Sequence, residues 1–568
     1  MRISRLLAPL SGLALVATMT LGAPPSAHGA PTPLLCNLLV ANILGTTGAD
    51  VITGTAGNDI ISAGDGNDQI NGMGGNDVIC GGPGNDTIDG NTGTDTVIGN
   101  AGSDVLSGGS GTDTVSYFGT TDAVTLILLN QATAGGESDT LAGFENAIGG
   151  SGADNIRGTA ATNVLNGGGG NDTLRGDTGN DRLDGDAGTD TVTYSQAAAA
   201  ITATINGTAT GDGTDTLVET ENLIGSPQAD RLNGDAANNT IRGGSGADNI
   251  FGGAGNDALA GESGADRVDG EAGADTITAT VSGDIIDGGI VSALNEIDTV
   301  TFASVGAGVN INLTTGIASS PGLTNDSLGN IEDVIGTSFN DSITATALTR
   351  NRLTGLGGND VLVSATNGSS LSAQDTLVPG LGNDSVFGPN ATVDFTDVGV
   401  GITINLAAGT ATGAGTDTLV GITRVTTGVG NDTIDGSNAI DIINTGAGND
   451  VVRAAGGADG IDLGAGNDDV DPGSADNVNA FNTVAGGDGT DTIRFTSAGS
   501  ATVTASLATG FSQTSTSQRS SFTGMENLTG GAGNDILTGN SANNVINGAG
   551  GTDTCTGGGG TDTFISCP

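Results

Sequence analysis

The chain has 568 residues, among them 103 glycines, no tryptophan, 2% aromatics, and 64 acidic against 14 basic side chains, the latter all arginine. Such a composition lacks the bulky residues of an ordinary globular core, and a formal charge of −50 makes nucleic acid and anionic membrane poor partners and divalent cations good ones. High charge with few aromatics normally reads as disorder, a reading that an internal period of nine residues overturns.

Residues 1–29 have the pattern of a secretory signal: Arg2 and Arg5, an apolar run from Leu6 to Leu21, then small residues ending in Ala27-His28-Gly29-Ala30. Residues 30–44 are apolar and are expected to cover the first coil of whatever repeat follows. From Gly45 to Ser116 the chain reads as consecutive nonapeptides, of which Gly-Gly-Pro-Gly-Asn-Asp-Thr-Ile-Asp (81–89) is the cleanest. Aspartate holds position six throughout (Asp50, Asp59, Asp68, Asp77, Asp86, Asp95, Asp104, Asp113), glycine holds position four, and position eight is always aliphatic.

Each unit reads as a tight turn followed by a three-residue strand. A strand that short is stable only when further copies stack on it, so two units should form one coil of a parallel solenoid with position eight inside. Glycine lets the turn adopt positive φ and curl its carbonyls toward a common centre. A carboxylate beside carbonyl oxygens is a donor set for a hard cation such as calcium. Aspartates two copies apart would stand one strand spacing apart, about 4.8 Å. At that distance like charges repel by roughly 3.5 kcal/mol at an effective dielectric constant of 20, so calcium binding and folding should be one event.

Further arrays follow. The second (149–193) carries Asp154, Asp172, Asp181 and Asp190, with Asn163 as its exception. The third (225–287) carries Asp230, Asp248, Asp257, Asp266, Asp275 and Asp284, with Asn239 as the exception. Asparagine offers an oxygen without charge, so those copies should stack without holding a tight ion. Phase is lost across 288–426, where only scattered copies around Asp341, Asp360 and Asp384 stand out. Regularity returns over 427–494 (Asp432, Asp441, Asp450, Asp459, Asp468 and, once more, Asp491) and over 530–568 (Asp535, Asp553 and Asp562, with Asn544).

Inserts between the arrays start at Tyr117, Tyr194, Phe302, Phe395 and Phe495, so that three of them span 117–148, 194–224 and 495–529. Each contains a period-two segment such as Val309 to Leu313, the pattern of a half-buried strand. Most end in a motif like Asp139-Thr140-Leu141-Ala142-Gly143-Phe144-Glu145-Asn146, with Thr423-Arg424 departing from it in the fourth. We read each insert as about two wider, calcium-free coils continuing the solenoid, with surface loops as the alternative. Glu145, Glu221, Glu332 and Glu526 recur at one insert position, where a turn or capping role is favoured over catalysis.

The arrays resemble the haemolysin-type calcium-binding (RTX) family. That resemblance implies an all-β, right-handed parallel β-roll solenoid built from calcium-binding nonapeptide repeats, with the wider calcium-free coils inserted, and multiple Ca²⁺ ions as cofactor. It also implies that the position-six aspartates bind calcium together with turn carbonyls of neighbouring coils, and that terminal copies are incomplete.

Loss of the leader would remove His28, the only histidine, leaving no HExxH zinc site, Ser-His-Asp triad or Cys-His pair, and no G-x-S-x-G elbow is present. Cys36, Cys80, Cys555 and Cys567 allow three pairings; position favours Cys36 with Cys80 and Cys555 with Cys567, with free thiols or a metal site as alternatives. Arg157, Arg175, Arg182 and Arg242 are expected to neutralise local charge. The expectation is a secreted, extracellular, non-enzymatic calcium-binding protein with a structural, adhesive or matrix role, no transmembrane anchor, and cell-surface or matrix polysaccharide as a partner. The alternative is a calcium-dependent enzyme or binding module acting on extracellular polysaccharide.

Overall fold

The computed structural model describes residues 35–289, 296–347, 350–365, 374–473, 481–515 and 518–567; residues 1–29, expected to be a secretory signal, and residues 30–34 fall outside them. Within the described residues the chain is built from strands, most of three residues, and a single 3₁₀ turn at Thr496–Ala498. Successive strands alternate between two long sheets. Val78–Cys80 pairs in parallel with Ile60–Ser62 and Thr96–Ile98 in one sheet, and Thr87–Asp89 with Gln69–Asn71 and Val105–Ser107 in the other. The register is 18 residues, two nonapeptides per coil, as the period requires. Position eight points between the sheets: Ile61, Ile70, Ile79, Ile88, Val97, Leu106 and Val115 are all buried. The result is an all-β parallel β-roll whose core is one aliphatic column per sheet.

Glycine at position four has a reason that depends on stacking. Gly84 sits at φ 145°, which only glycine adopts readily, and a Cβ there would fall on the carbonyl oxygen of Gly66 in the preceding coil. Position two uses the ordinary left-handed region, so Asn91 (φ 68°), Asp177 (φ 62°) and Glu271 (φ 69°) are accepted there.

The inserts continue the stack, but by an antiparallel route. In the first, Val124–Ile127, Gln131–Ala134 and Glu137–Ala142 form a three-strand meander. Its last strand pairs in parallel with the preceding array at Val105–Ser107, and its first with the following array at Asn155–Arg157. The same construction recurs in the other inserts, for example at Thr202–Thr204, Thr208–Thr210 and Thr214–Val218. About two wider coils continuing the solenoid were expected; the inserts do continue it, but as a meander whose three strands lie in one sheet between the flanking array strands, since a short reversal needs only tight turns where a parallel crossover needs a long connection. The aromatic that opens each insert (Tyr117, Tyr194, Phe302, Phe395, Phe495) is buried in the core.

Among the described residues of 288–426, the loss of phase is not a loss of structure. Thr299–Thr301, Asp333–Ile335, Arg352–Thr354, Thr376–Val378, Thr392–Asp394 and Arg424–Thr426 remain in one unbroken parallel ladder. The added residues fall between strands.

At the start, Ile43–Leu44 is itself a strand, paired with Ile61 and Ser62. The preceding hairpin (Leu35–Cys36 with Leu39–Val40) packs through Cys36 against Cys80 and Ile98 on the outer side of that sheet. Ile43 packs against the core at the edge of that sheet, while Leu39, Val40, Leu44 and Val51 stay exposed. Disulfides join Cys36 to Cys80 and Cys555 to Cys567, staples at the two ends. Among the described residues no helix is long and apolar enough to cross a membrane.

Candidate metal centres

Position six lies where the turn enters the strand, and its side chain reaches along the stack toward the preceding coil. Its two carboxylate oxygens do different things. Oδ1 accepts the backbone N–H of the aspartate one coil earlier: Asp68 N–H to Asp86, Asp86 N–H to Asp104, and Asp77 N–H to Asp95, each at 2.8 Å. These bonds run through each array as a ladder of carboxylates, and hold the side chains one strand spacing apart. Oδ2 is buried without a hydrogen-bond partner in Asp68, Asp77, Asp86, Asp95, Asp104, Asp113, Asp172, Asp181, Asp190, Asp248, Asp257, Asp266, Asp275, Asp432, Asp450, Asp459, Asp468 and Asp553.

An orphaned buried carboxylate oxygen demands a counter-charge or a proton. Burial pushes Asp86 up to about 6, and burial with repulsion from Asp139 and Asp86 pushes Asp104 up to about 7. Carbonyl oxygens converge on the same place: a methyl at Gly72 would meet Asp77 Oδ2 at 2.6 Å and Gly90 O at 2.9 Å. Among the described residues no three acidic, histidine or cysteine side chains cluster. The donor set is therefore one carboxylate plus backbone carbonyls, oxygen only, which fits calcium and not zinc or copper.

A second group of position-six residues differs. Asp50, Asp59, Asp154, Asp230, Asp441 and Asp535 begin their stacks, and Oδ2 in each accepts the N–H four residues earlier, as from Thr46 and Thr55 at 2.7 and 2.6 Å. With no nonapeptide turn beneath, the turn closes on its own carboxylate. Asp284 is similarly engaged by Ser282, and Asp562 is half-buried in the last turn.

Several residues in the ladder escaped the sequence reading. Asp298, Asp375 and Asn351 are position-six members hidden by lost phase, since Asp275 N–H donates to Asp298 and Asn351 N–H to Asp375, both at 2.9 Å. Asp139, Asp215, Asp326 and Asp417 of the inserts extend the ladder past the arrays. The recurrent glutamates cap it: Glu145, Glu221, Glu332 and Glu526 each accept the N–H of the last aspartate in one column. Asn163, Asn239 and Asn544, like Asn351, use their amide nitrogen on the backbone carbonyl of those glutamates. Arg157 and Arg175 both pair with Asp177, Arg182 pairs with Asp184, and Arg242 stands 4.0 Å from Glu262.

The model of the RTX calcium-binding nonapeptide repeat, which spans four copies, matches residues 44–79, 81–115, 139–192, 224–290, 426–470 and 529–564. No curated protein matches the chain. The matched segments carry most of the carboxylate ladders and orphaned oxygens, and the chain belongs to the RTX calcium-binding nonapeptide repeat family.

Proposed function

We propose that this is a secreted, non-enzymatic protein whose position-six aspartates hold a file of calcium ions, and that the calcium-loaded solenoid serves a structural, adhesive or matrix role outside the cell. One observation carries the reading: buried, unpaired Oδ2 atoms recur through every array, each beside turn carbonyls. Ions at those points would cancel the repulsion within each ladder and link adjacent coils. Disulfides at both ends fit an oxidising compartment, and the leader-like residues 1–29 supply a route to it. Polysaccharide of the cell surface or matrix is the proposed partner.

Two measurements test this. Protein recovered from culture fluid should begin at Ala30 or Pro31. Purified protein should show no turnover of uronate polysaccharides with or without calcium; robust turnover would replace the structural role with an enzymatic one.

A further inference from the structure

The second and fourth inserts form a natural controlled comparison. Their third strands share one sequence, Gly213-Thr214-Asp215-Thr216-Leu217-Val218 and Gly415-Thr416-Asp417-Thr418-Leu419-Val420. They dock identically on the preceding array. Gly213 bridges Gly179 and Gly415 bridges Gly382. Thr214 N–H donates to Asn180 Oδ1 at 2.9 Å and Thr416 N–H to Asn383 Oδ1 at 2.8 Å. Asp215 Oδ1 accepts the N–H of Asp181 at 2.9 Å, and Asp417 Oδ1 that of Asp384 at 3.0 Å.

The second oxygen separates them. Asp215 Oδ2 accepts the hydroxyl of Tyr194 at 2.8 Å, as Asp139 Oδ2 accepts that of Tyr117 at 2.6 Å in the first insert. The fourth insert opens with Phe395 in place of tyrosine, and Asp417, 1% exposed, has no partner for Oδ2 among the described residues. The third insert repeats this arrangement with Phe302 and Asp326, 2% exposed. An unpaired carboxylate oxygen this deeply buried is costly unless a cation meets it. Gly-x-Asp at 415–417 also reproduces positions four to six of the nonapeptide, so it presents half of a repeat turn to Asp384, whose own Oδ2 is unpaired.

We infer that Asp417 and Asp326 each take part in one further calcium site, at the junction between array and insert, and that the tyrosine hydroxyls of the first two inserts close the corresponding position at Asp139 and Asp215. The inference rests on the calcium reading of the arrays. The third and fourth inserts thus extend the file of ions one position past the nonapeptides, and the first and second end it.

Anomalous diffraction from crystals of the full chain grown in calcium tests this site by site. A peak is expected beside Asp417 Oδ2 and beside Asp326 Oδ2, and none beside Asp215 or Asp139. In the double variant Tyr194→Phe/Phe395→Tyr the pattern should invert, with a peak gained at Asp215 and lost at Asp417. Peaks along the arrays with none at Asp417 or Asp326 in the wild-type protein would overturn this inference and leave the array reading standing. Absence of every peak would overturn both. Should the double variant not fold, Tyr194→Phe alone, which deletes a single oxygen, must still gain the peak at Asp215.

Discussion

The side-chain amide of Asn163 donates to the backbone carbonyl of Glu145 at 2.5 Å. Wherever an insert ends in such a glutamate, an asparagine stands at the first position six of that column in the next array: Glu221 with Asn239, Glu332 with Asn351, Glu526 with Asn544. The fourth insert has Thr423 instead, and there the column keeps Asp441, while the Thr423 carbonyl accepts the N–H of Ile442. Asparagine is thus a junction residue, required because it can donate where aspartate cannot.

Asn163→Asp should therefore destabilise the protein by about 1 to 3 kcal/mol, the cost of placing a carboxylate against a buried carbonyl. Asp441→Asn should be milder. Calcium-dependent melting of both variants checks the pair; an Asn163→Asp variant as stable as wild type would remove the junction role.

Asp86→Asn should weaken calcium binding more than Asp50→Asn. Asp86 has a free Oδ2 between two coils, whereas Asp50 Oδ2 already accepts the N–H of Thr46 at 2.7 Å. Equal losses in calorimetric titrations would mean that the closed starting turns bind as the stacked ones do.

Calcium-free protein should respond to pH in the direction set by its buried acids. Burial pushes Asp248 up to about 7 and Asp360 up to about 8, above the ordinary carboxylate value. A raised acid pKa means that the folded chain binds protons more tightly than the unfolded chain, so this contribution is present at low pH and lost as pH rises through about 6 to 8. In chelator, far-UV spectra should show more β structure at about pH 4.5 than at pH 8. Calcium should abolish the difference. More structure at the higher pH without calcium would contradict the assignment of these carboxylates as buried and unpaired.

Reduction should loosen both ends. In the chain-entropy model, opening the Cys36–Cys80 loop costs about 4 kcal/mol and the Cys555–Cys567 loop about 3. Hydrogen exchange with and without reductant should show faster exchange near residues 43–62 and 545–565 only. Uniform acceleration along the chain would mean that the ends are not independent of the middle.

The arrays were legible because three columns stay in phase: Gly84, Asp86 and Ile88 each recur for a separate physical reason, so their coincidence leaves one architecture. The meanders were legible as strands but not in direction, since alternation such as Val309 to Leu313 is the same for parallel and antiparallel pairing. Asp298 and Asp375 were hidden because the fold preserves strand register, not residue count, and tolerates extra residues between strands. The split between free and self-closed carboxylates was legible only as the expectation that terminal copies are incomplete, because Asp50 and Asp86 occupy the same place in the same motif and differ only in whether a coil lies beneath them.

The central claim is that the orphaned Oδ2 atoms are calcium ligands whose occupation builds the solenoid. Circular dichroism of the purified chain during a calcium titration at neutral pH and low ionic strength tests it most directly. Metal-free protein should be largely unfolded, and β structure should appear cooperatively with a midpoint of about 10⁻⁴ to 10⁻³ M calcium, with magnesium a poor substitute. A far-UV spectrum that is the same in chelator as in calcium would contradict the account.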